Sequence, residues 1–404
     1  ELEVLRQLIN KMAGLEEHGG AVSQETLMAK AGGEVLRASI ESPWPLEQVF
    51  GSGDDKDGKS GGAAKVKAYQ SMLKERKEAA DSLVTALDKS GTGMALLVVL
   101  GQQVSGCMHT KATQDTMQVK FTSWLHRQCH QTLQLLQEFL SRRIPEPGGH
   151  FLAKMPDLPT LVGKAEEGGL AIDPEVALLI MRPAIRYRMD AGGKNLLSEL
   201  DLSQHAKAML PNMQHMWKLM SPEMYAIFWS LSLDDIFVPK DTYLSSIKRL
   251  KKALADLEDP SKLNMKDKEV KRLRDNLTAD VNKLEAELKR QEEGVKLVRK
   301  KLEADKESWL ANVHGDNVYA KGTPGAFYQL CILPRCVQSA EDAIFCAKFV
   351  NLLHAIKTPK LCTIIFYNQV LCNFGPIVFS RTEHESSHLG RFLSEVLEVL
   401  NDYS

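Results

Sequence analysis

The spacing of apolar residues is the feature that most restricts how this chain can fold. Apolar side chains recur every three or four residues through most of the 404-residue chain, whereas the alternation typical of strands is nearly absent. The segment 113–143 shows this most clearly, because its apolar stripe predicts one long helix with a single buried face. The stripe residues are Met117, Phe121, Trp124, Leu125, Leu133, Leu136 and Leu140. The sequence therefore predicts an all-α protein.

Local signals at helix ends support the same interpretation. The predicted N-caps are Asp173, Ser221, Ser339 and Thr382. Pro174 and Pro222 follow two of these caps at the first helical position, and Pro183 predicts the break or end of its helix. The segment 361–371 is ambiguous because β-branched and aromatic residues cluster in it, and we favour a buried helix there.

The region 240–312 differs from the rest in its charge. Between Lys240 and Leu310 it holds 19 Lys or Arg and 15 Asp or Glu, with one glycine and one proline. Two rows advance by sevens along its second half: Leu277, Leu284, Gln291 and Val298, and Val281, Leu288, Val295, Leu302 and Trp309. A shorter apolar stripe precedes them, and 258–268 can turn the chain. We expect a long charged helical hairpin that projects from the body.

Four consecutive segments describe the expected domain organisation. Residues 1–140 form a helical-repeat domain with a flexible loop at 51–64, and 141–239 continue the repeats. The charged arm at 240–312 precedes a C-terminal helical domain at 313–404. The chain starts in helical phase without an initiator methionine, so we expect a fragment of a longer protein. No apolar run approaches the roughly 18 residues of a membrane span, and no membrane association is expected.

The stretch 53–60, "GDDKDGKS", fits the letters of a phosphate-binding P-loop. Three aspartates occupy the spacer, where backbone N–H groups would have to receive a phosphate anion. The preceding segment contains Pro43 and Pro45, which disfavour the buried strand that a P-loop follows. We interpret the stretch as a solvated loop and predict no nucleotide or other cofactor.

The cysteines and histidines do not form a recognisable catalytic or metal-binding pattern. Seven cysteines lie in apolar helical sequence and are typical of reduced core residues in an intracellular protein. A zinc site could combine Cys331, Cys336, Cys346 and His354, but no C-x2-C pair occurs. His384 and His388 lack the H-E-x-x-H spacing, and we expect them to be exposed. No catalytic residue and no metal are predicted, and we do not expect an enzyme.

Two groups of residues are candidates for binding a partner. The first is basic and suited to RNA phosphates: Lys248, Arg249, Lys251, Lys252, Lys268, Lys271, Arg272 and Arg274. The second is aromatic and suited to an interface anchor: Tyr225, Phe228, Trp229 and Phe237. A solvated helix face explains the basic group as well, and core packing explains the aromatic group as well, so both alternatives stay open.

Several long motifs resemble one family, that of the second and largest subunit of the THO complex. They are "LINKMAG" with "AGGEVLRA", "HRQCHQTLQLLQEFL", "SPEMYAIFWSLSLDDIFVP", "LCILPRCVQSAEDAIFCAKFVNLLHAIKTP" and "SRTEHESSHLGRFL". Within them, Pro334-Arg335-Cys336, Ser339-Ala340, Asp342-Ala343 and Gly390-Arg391-Phe392 occur in the family's order. The stretches 51–62 and 314–325 depart from the pattern.

The resemblance implies a fold and a function. The fold is an α-solenoid of stacked helical hairpins, HEAT-like and similar to the middle domain of translation-initiation scaffolds. The function is that of a non-enzymatic nuclear scaffold that binds the other THO subunits and a DEAD-box RNA helicase in the TREX assembly. That assembly couples transcription to the packaging and export of mRNA. The alternative hypothesis is an RNA-binding module acting through the basic arm.

Overall fold

The structure, a computed structural model, describes residues 24–46, 61–109, 116–190, 216–258, 267–310 and 322–402. Within these ranges the chain forms helices packed on one another and contains no strand, so the predicted all-α fold is confirmed. The α-helices are α1 (Gln24–Lys30), α2 (Glu34–Glu41), α3 (Gly61–Lys89), α4 (Thr92–His109), α5 (Thr116–Arg143), α6 (Pro147–Lys154), α7 (Leu158–Val162), α8 (Pro174–Asp190), α9 (Pro222–Ser230), α10 (Leu233–Ile236), α11 (Lys240–Asp256), α12 (Asp267–Trp309), α13 (Gly322–Phe327), α14 (Leu333–Cys336), α15 (Ala340–Ala355), α16 (Thr363–Phe379) and α17 (Glu383–Asp402).

The chain divides into two units that are each discontinuous in sequence. The first unit contains Val84–Ile236 and Val298–Ser404, and the second contains Asn10–Leu83 and Phe237–Leu297. This division differs from the four consecutive segments predicted from the sequence. The difference arises because α11 and the first part of α12 share a core with helices from the beginning of the chain.

The second unit is built on the charged hairpin. The helices α11 and α12 exist as predicted, with residues 259–266 of the turn outside the described residues. Their apolar stripes are buried together with Leu36 of α2 and Val66 of α3. The stripe members in this core are Tyr243, Ile247, Leu250, Ala253, Leu257, Leu273, Leu277, Val281 and Leu284. Other helices of the same unit therefore cover part of the hairpin's apolar stripe.

The first unit packs its helices in neighbouring pairs. Helix α4 lies along α5, and α17 lies along α15. Helix α8 packs against both α6 and α9. At its centre Phe228 contacts the rings of Phe327, Phe345 and Phe349 at centroid distances of 5.2–5.7 Å in edge-on geometry. Aromatic rings favour this edge-to-face arrangement, so the cluster stabilises the meeting point of α9, α13 and α15.

The predicted helix starts are confirmed where the structure describes their caps. The Ser221 hydroxyl accepts a hydrogen bond from the Met224 backbone N–H at 3.2 Å, and Ser339 caps α15 by accepting one from Asp342 at 3.0 Å. Thr382 and Glu385 form a reciprocal capping box, with hydrogen bonds of 2.9 and 3.3 Å.

The prediction for Pro183 is wrong, because α8 continues through it to Asp190. Proline cannot donate a hydrogen bond to the carbonyl four residues earlier, which is that of Leu179. The side-chain amide of Gln137 donates to this Leu179 oxygen at 3.3 Å. A neighbouring helix thus supplies the missing donor, and the helix tolerates the proline.

The apolar stripe of α5 is buried along only part of its length. Leu133, Leu136 and Leu140 are fully buried, as predicted. Phe121 is 62% exposed and Trp124 is 50% exposed, and their rings stack on each other with a centroid distance of 5.9 Å. Periodicity identified the helix correctly, but it does not show where along the helix a neighbour ends.

Two predicted loops and one ambiguous segment can also be compared with the structure. Helix α3 begins at Gly61, so 61–64 of the loop predicted at 51–64 are helical, whereas 51–60 lie outside the described residues. Of the stretch 314–325, residues 322–325 begin α13 and the remainder lies outside the described residues. The helix preferred at 361–371 is confirmed as α16, but its predicted burial holds for one side only.

Candidate functional site

The eight basic residues proposed for RNA are all exposed on α11 and α12. Three of them have partners within the second unit: Arg249 donates to the Ser39 carbonyl at 2.9 Å, Lys251 pairs with Glu285 at 2.7 Å, and Arg274 pairs with Glu258. The other five, Lys248, Lys252, Lys268, Lys271 and Arg272, form no ion pair with any carboxylate that the structure describes. For these five, no described carboxylate competes with a phosphate.

A buried polar network holds the basic arm in place. Glu287 of α12 is only 5% exposed, and its two carboxylate oxygens accept hydrogen bonds from the backbone N–H groups of Val35 and Leu36 at 2.8 and 2.9 Å. These groups are the first donors of α2, so the carboxylate lies at the positive end of that helix. Tyr243 of α11 contacts the same carboxylate at 3.0 Å.

The "AGGEVLRA" motif has a structural explanation in this network. A Cβ atom on Gly33 would lie 2.2 Å from the Glu287 carboxyl carbon, so only glycine leaves room for the carboxylate. The Gly33 N–H also donates to the Tyr243 hydroxyl at 2.8 Å, and Gln291 donates to the Ala31 carbonyl at 2.6 Å. The motif thus serves to fit α2 against the hairpin.

Three of the four aromatic residues proposed as an interface anchor belong to the core. Tyr225, Phe228 and Trp229 are 2%, 0% and 1% exposed. The Tyr225 hydroxyl donates to Glu175 at 3.2 Å, and burial raises the pKa of Tyr225 well above its usual value. The interpretation of these three as a binding surface is therefore corrected to core packing. Phe237, in the second unit, is half-buried.

A buried charge cluster lies beside this aromatic core, and the sequence reasoning missed its role. Arg335 is 1% exposed and donates from Nε to Asp342 at 2.8 Å, from Nη2 to the Leu231 carbonyl at 2.8 Å, and from Nη1 to the Phe228 carbonyl. Its guanidinium carbon also lies 3.5 Å from the centroid of the Phe345 ring. The arginine thereby links the C-terminal end of α9 to the start of α15.

Asp342 is held ionised by this arrangement. Burial by itself would raise its pKa, but the charges of Arg335 and Arg182 and hydrogen bonds from Arg335 and Ser339 outweigh burial and lower the pKa to about 2. Gln134 of α5 donates to the same carboxylate at 3.3 Å. The signal for this site was present in the sequence as Pro334-Arg335-Cys336 and Ser339-Ala340 with Asp342, but spacing alone does not distinguish a buried ion pair from an exposed one.

Three glutamines of the "HRQCHQTLQLLQEFL" motif point to three different helices. Gln131 contacts His384 of α17 at 3.4 Å, Gln134 donates to Asp342 of α15, and Gln137 donates to the Leu179 carbonyl of α8. They are spaced three residues apart, so they follow one side of α5. This motif therefore fixes the position of α5 among its neighbours.

Several histidines on α5 and α17 are buried or half-buried. His388 is 7% exposed and its ring lies 3.0 Å from the Val337 carbonyl, so the expectation of an exposed residue is wrong for it. His130 is 4% exposed, and burial together with the nearby His126 lowers its pKa to about 4. Burial also lowers the pKa of His126 and of His388. Buried neutral imidazoles of this kind are part of the packing.

The cysteines are free thiols within the described chain. Cys107, Cys129, Cys331, Cys336 and Cys346 are buried, Cys362 is half-buried and Cys372 is exposed. His354, the fourth member of the zinc alternative, is exposed and contacts the Thr363 hydroxyl at 3.0 Å. Among the described residues, no group of three or more His, Cys, Asp or Glu side chains could hold a metal ion. The letters resembling a P-loop at 53–60 lie outside the described residues.

The described helices were also compared with the requirements of a membrane span. No single one is both long enough and apolar enough to cross a membrane. One bent pair, Ala64–Lys89 with Thr92–Cys107, meets the requirement jointly, by length and composition alone.

The fold and these sites define a class of protein: an all-α, helical-repeat-like protein whose motif residues, where described, join helices to one another. Comparison with known proteins shows which proteins the chain resembles. Residues 217–404 match the Tho2 family, described as "Transcription factor/nuclear export subunit protein 2". The chain is similar to THO complex subunit 2, and its second half matches the Tho2 family model.

The relatives align with almost the entire chain. THO complex subunit 2 of Homo sapiens is 28% identical over 99% of this chain, and that of Arabidopsis thaliana is 29% identical over 99% of this chain. The aligned region makes up 24% of the human protein and 22% of the Arabidopsis protein. The chain thus spans about a quarter of the length of the curated relatives that it matches.

Proposed function

We propose that this chain is a non-enzymatic scaffold segment of a nuclear THO/TREX assembly, in which it binds other THO subunits and docks and regulates a DEAD-box RNA helicase. The observation that carries the proposal is the similarity to THO complex subunit 2 along 99% of the chain. In such an assembly the protein would help to couple transcription to the packaging and export of mRNA.

The physical character of the helices supports a scaffold. Long helices with one buried face stack on neighbours and leave their other faces available to partners. A helicase with two lobes can be regulated by a surface that binds one arrangement of the lobes more tightly than another. This mechanism requires no catalytic group from the scaffold.

Three of the four aromatic residues first expected to contact a partner are core residues. Tyr225, Phe228 and Trp229 are buried and cannot touch a helicase while the first unit is folded. Phe237 is half-buried, and we retain it as a candidate contact.

The test combines a pull-down with an ATPase assay. The RNA-stimulated ATPase rate of the DEAD-box export helicase from the same source is measured with and without the 404-residue chain. We expect binding and a changed rate. Absence of binding, with an unchanged rate at saturating scaffold, would contradict helicase docking by this part of the protein.

RNA binding through the arm is a second candidate function, favoured by the five exposed basic residues that lack a described ion pair. Each phosphate contact to single-stranded RNA contributes about 0.7 to the slope of log affinity against log salt. We expect the combined exchange of Lys248, Lys252, Lys271 and Arg272 to Gln to lower that slope by up to about three. The matched control exchanges four exposed lysines of α3, Lys65, Lys67, Lys74 and Lys77, to Gln. Equal effects of the two sets would show only nonspecific attraction.

A further inference from the structure

Four histidines lie where the middle of α5 meets the start of α17. On α5 the rings of His126 and His130 stack with a centroid distance of 6.1 Å, and on α17 the rings of His384 and His388 lie edge-on at 4.3 Å. Gln131 of α5 contacts His384 at 3.4 Å and so joins the two pairs. Histidine is the side chain whose charge ordinarily changes between about pH 5 and pH 8, so this junction contains four groups that acid can charge.

The hydrogen bonds of the junction suit neutral imidazoles. The Gln131 amide nitrogen donates to Nε2 of His384, a role for a ring nitrogen that carries no proton. Nδ1 of His388 donates to the Val337 carbonyl at 3.0 Å. Nε2 of His130 is buried and has no hydrogen-bond partner within the described chain. A second proton on His384 would therefore face the Gln131 amide nitrogen, and a second proton on His130 would meet no acceptor.

The charged groups around the junction do not reverse this preference. They are Glu385 of α17, Asp342 of α15, and Asp173 and Arg182 at the start and in the middle of α8. Asp342 is already paired with Arg335 at 2.8 Å, and Glu385 already caps α17. Burial outweighs the carboxylates, because it lowers the pKa of His126, of His130 and of His388.

The start of α17 is held in place by polar contacts. Its first six residues, 383–388, include no apolar side chain, and Leu389 is the first apolar residue of the helix. Further along, Phe392 and Val396 are each 1% exposed in the part of the chain where α17 lies along α15. Helix α5 is anchored by buried leucines throughout the corresponding region. The first turns of α17 are therefore the part of the junction that can separate at the lowest cost.

We propose that His126, His130, His384 and His388 form an acid-sensitive joint, here called the histidine joint, which opens in mild acid and releases the first two turns of α17 from α5 and from Val337. In the closed joint the rings are neutral. In the open joint they reach water and bind protons as free histidines do, so acid favours the open form and a return to neutral pH closes it. The proposal does not rest on helicase docking or RNA binding, because it concerns packing within the first unit.

Proton linkage gives the size of the response. The pKa of His388 is lowered in the closed joint, so the open joint binds its proton first as the pH falls. A histidine that is neutral when closed and titrates near pH 6.5 when open raises the population of the open form by up to about tenfold between about pH 7.5 and about pH 5.5. His388 alone is thus sufficient for a measurable change.

Native-state hydrogen exchange of the 404-residue chain tests the proposal at about pH 7.5 and about pH 5.5, with rates corrected for the intrinsic effect of pH. We expect the protection of residues 384–390 to be lower than that of α4 at both pH values and to fall about tenfold in acid. A low, non-denaturing concentration of urea should leave the protection of 384–390 unchanged, because a local opening exposes little surface. The same urea should reduce the protection of α4, whose most protected amides exchange when the whole unit unfolds.

His388→Gln is the variant that removes the proton-binding group. A glutamine amide can still donate to the Val337 carbonyl, but it does not titrate in this range. The acid-induced fall in protection of 384–390 should shrink to less than about threefold. The matched control is His354→Gln, because His354 is exposed on α15 and contacts the Thr363 hydroxyl outside the joint. The control should retain the tenfold fall.

A second variant keeps the test decisive if circular dichroism shows that His388→Gln has lost its helices. In His384→Gln the new amide oxygen can still accept from Gln131 at either pH, so the response to acid should again shrink. Equal protection of 384–390 at the two pH values in the unchanged chain would overturn the proposal. So would a full tenfold fall in both variants. Urea sensitivity of 384–390 equal to that of α4 would show that these amides exchange only when the whole unit unfolds, which contradicts a local joint.

Discussion

Arg335 and Asp342 show how single residues of the first unit can determine its stability. The guanidinium uses all three of its nitrogens, contacting one carboxylate and two helix-end carbonyls, and it lies on an aromatic ring. A buried ion pair contributes little compared with apolar residues of the same size, but removal of one partner leaves the other charge uncompensated. The pair therefore makes this position intolerant of substitution.

We expect Arg335→Met to lower the free energy of unfolding by about 3–5 kcal/mol, since Asp342 would stay buried without its nearest counter-charge and only Arg182, at 4.0 Å, would remain beside it. Arg335→Lys should be nearly as harmful, because one ammonium group cannot replace a planar donor with three contact points. Urea denaturation followed by circular dichroism measures both. Arg299→Gln is the control, because Arg299 pairs only with Glu303 on an exposed surface. A cost below about 1 kcal/mol for Arg335→Met would contradict the role given to the arginine.

The lowered pKa of His130 predicts how the stability of the folded protein depends on pH. Its pKa is about 4 in the folded protein and about 6.5 when unfolded, so the unfolded chain binds the proton first as pH falls. Stability should decrease from about pH 6.5 and reach its full loss of about 3 kcal/mol near pH 4. His130→Gln should make this part of the profile shallower, and the part that remains comes from His126 and His388, whose pKa values burial also lowers. The same variant should still lose stability between about pH 4 and pH 2, because Asp342 is protonated in that range.

At the scale of elements, the close contact between α2 and α12 depends on a glycine, which has no side chain. Helix α2 reaches the hairpin because Gly33 leaves space for the Glu287 carboxylate. The backbone of Gly33 has φ −76°, a value that any residue adopts, so the requirement is steric and not conformational.

We expect Gly33→Ala to destabilise the second unit by about 2 kcal/mol, because the new methyl group would displace Glu287 from the start of α2. Faster hydrogen exchange of the Val35 and Leu36 amides would report that displacement directly. Gly294→Ala on α12 is the matched control, since nothing lies within 4 Å of the added Cβ. It should be neutral or should stabilise by about 0.5–1 kcal/mol. Similar costs for the two changes would argue against steric exclusion at Gly33.

The sequence predicted helices and their caps better than the neighbours of those helices. Ser221, Ser339 and Thr382 were identified because a cap involves residues three apart in the chain. The exposure of Phe121 could not be predicted, and the choice between core and interface for Trp229 stayed open, because periodicity shows that a helix has an apolar face but not what covers it. The contact between Gly33 and Glu287 was hidden for the same reason, since the two lie far apart in sequence.

At the scale of the whole molecule, each unit contains a buried polar network. Arg335 and Asp342 lie in the first unit, and Tyr243, Glu287 and Gln291 lie in the second. A buried polar group that loses its partner costs free energy, so each network stabilises its own unit only when the helices around it are correctly packed.

We expect the two units to lose structure separately. In native-state hydrogen exchange, Gly33→Ala should reduce protection of α11 and leave α15 unchanged, whereas Arg335→Met should do the reverse. These two helices are suitable reporters because each lies entirely within one unit. A parallel loss of protection in both helices in either variant would instead indicate one cooperative molecule.

The Glu287 network also has a consequence for synthesis on the ribosome. The Leu36 amide and the Glu287 carboxylate that it contacts are separated by 251 residues. At about 5–20 residues per second, the first helices wait roughly 10–50 s before their partner emerges. During that interval the apolar side of α2 lacks its partners on α11 and α12, so nascent chains should depend on chaperones until residues 237–297 have been translated.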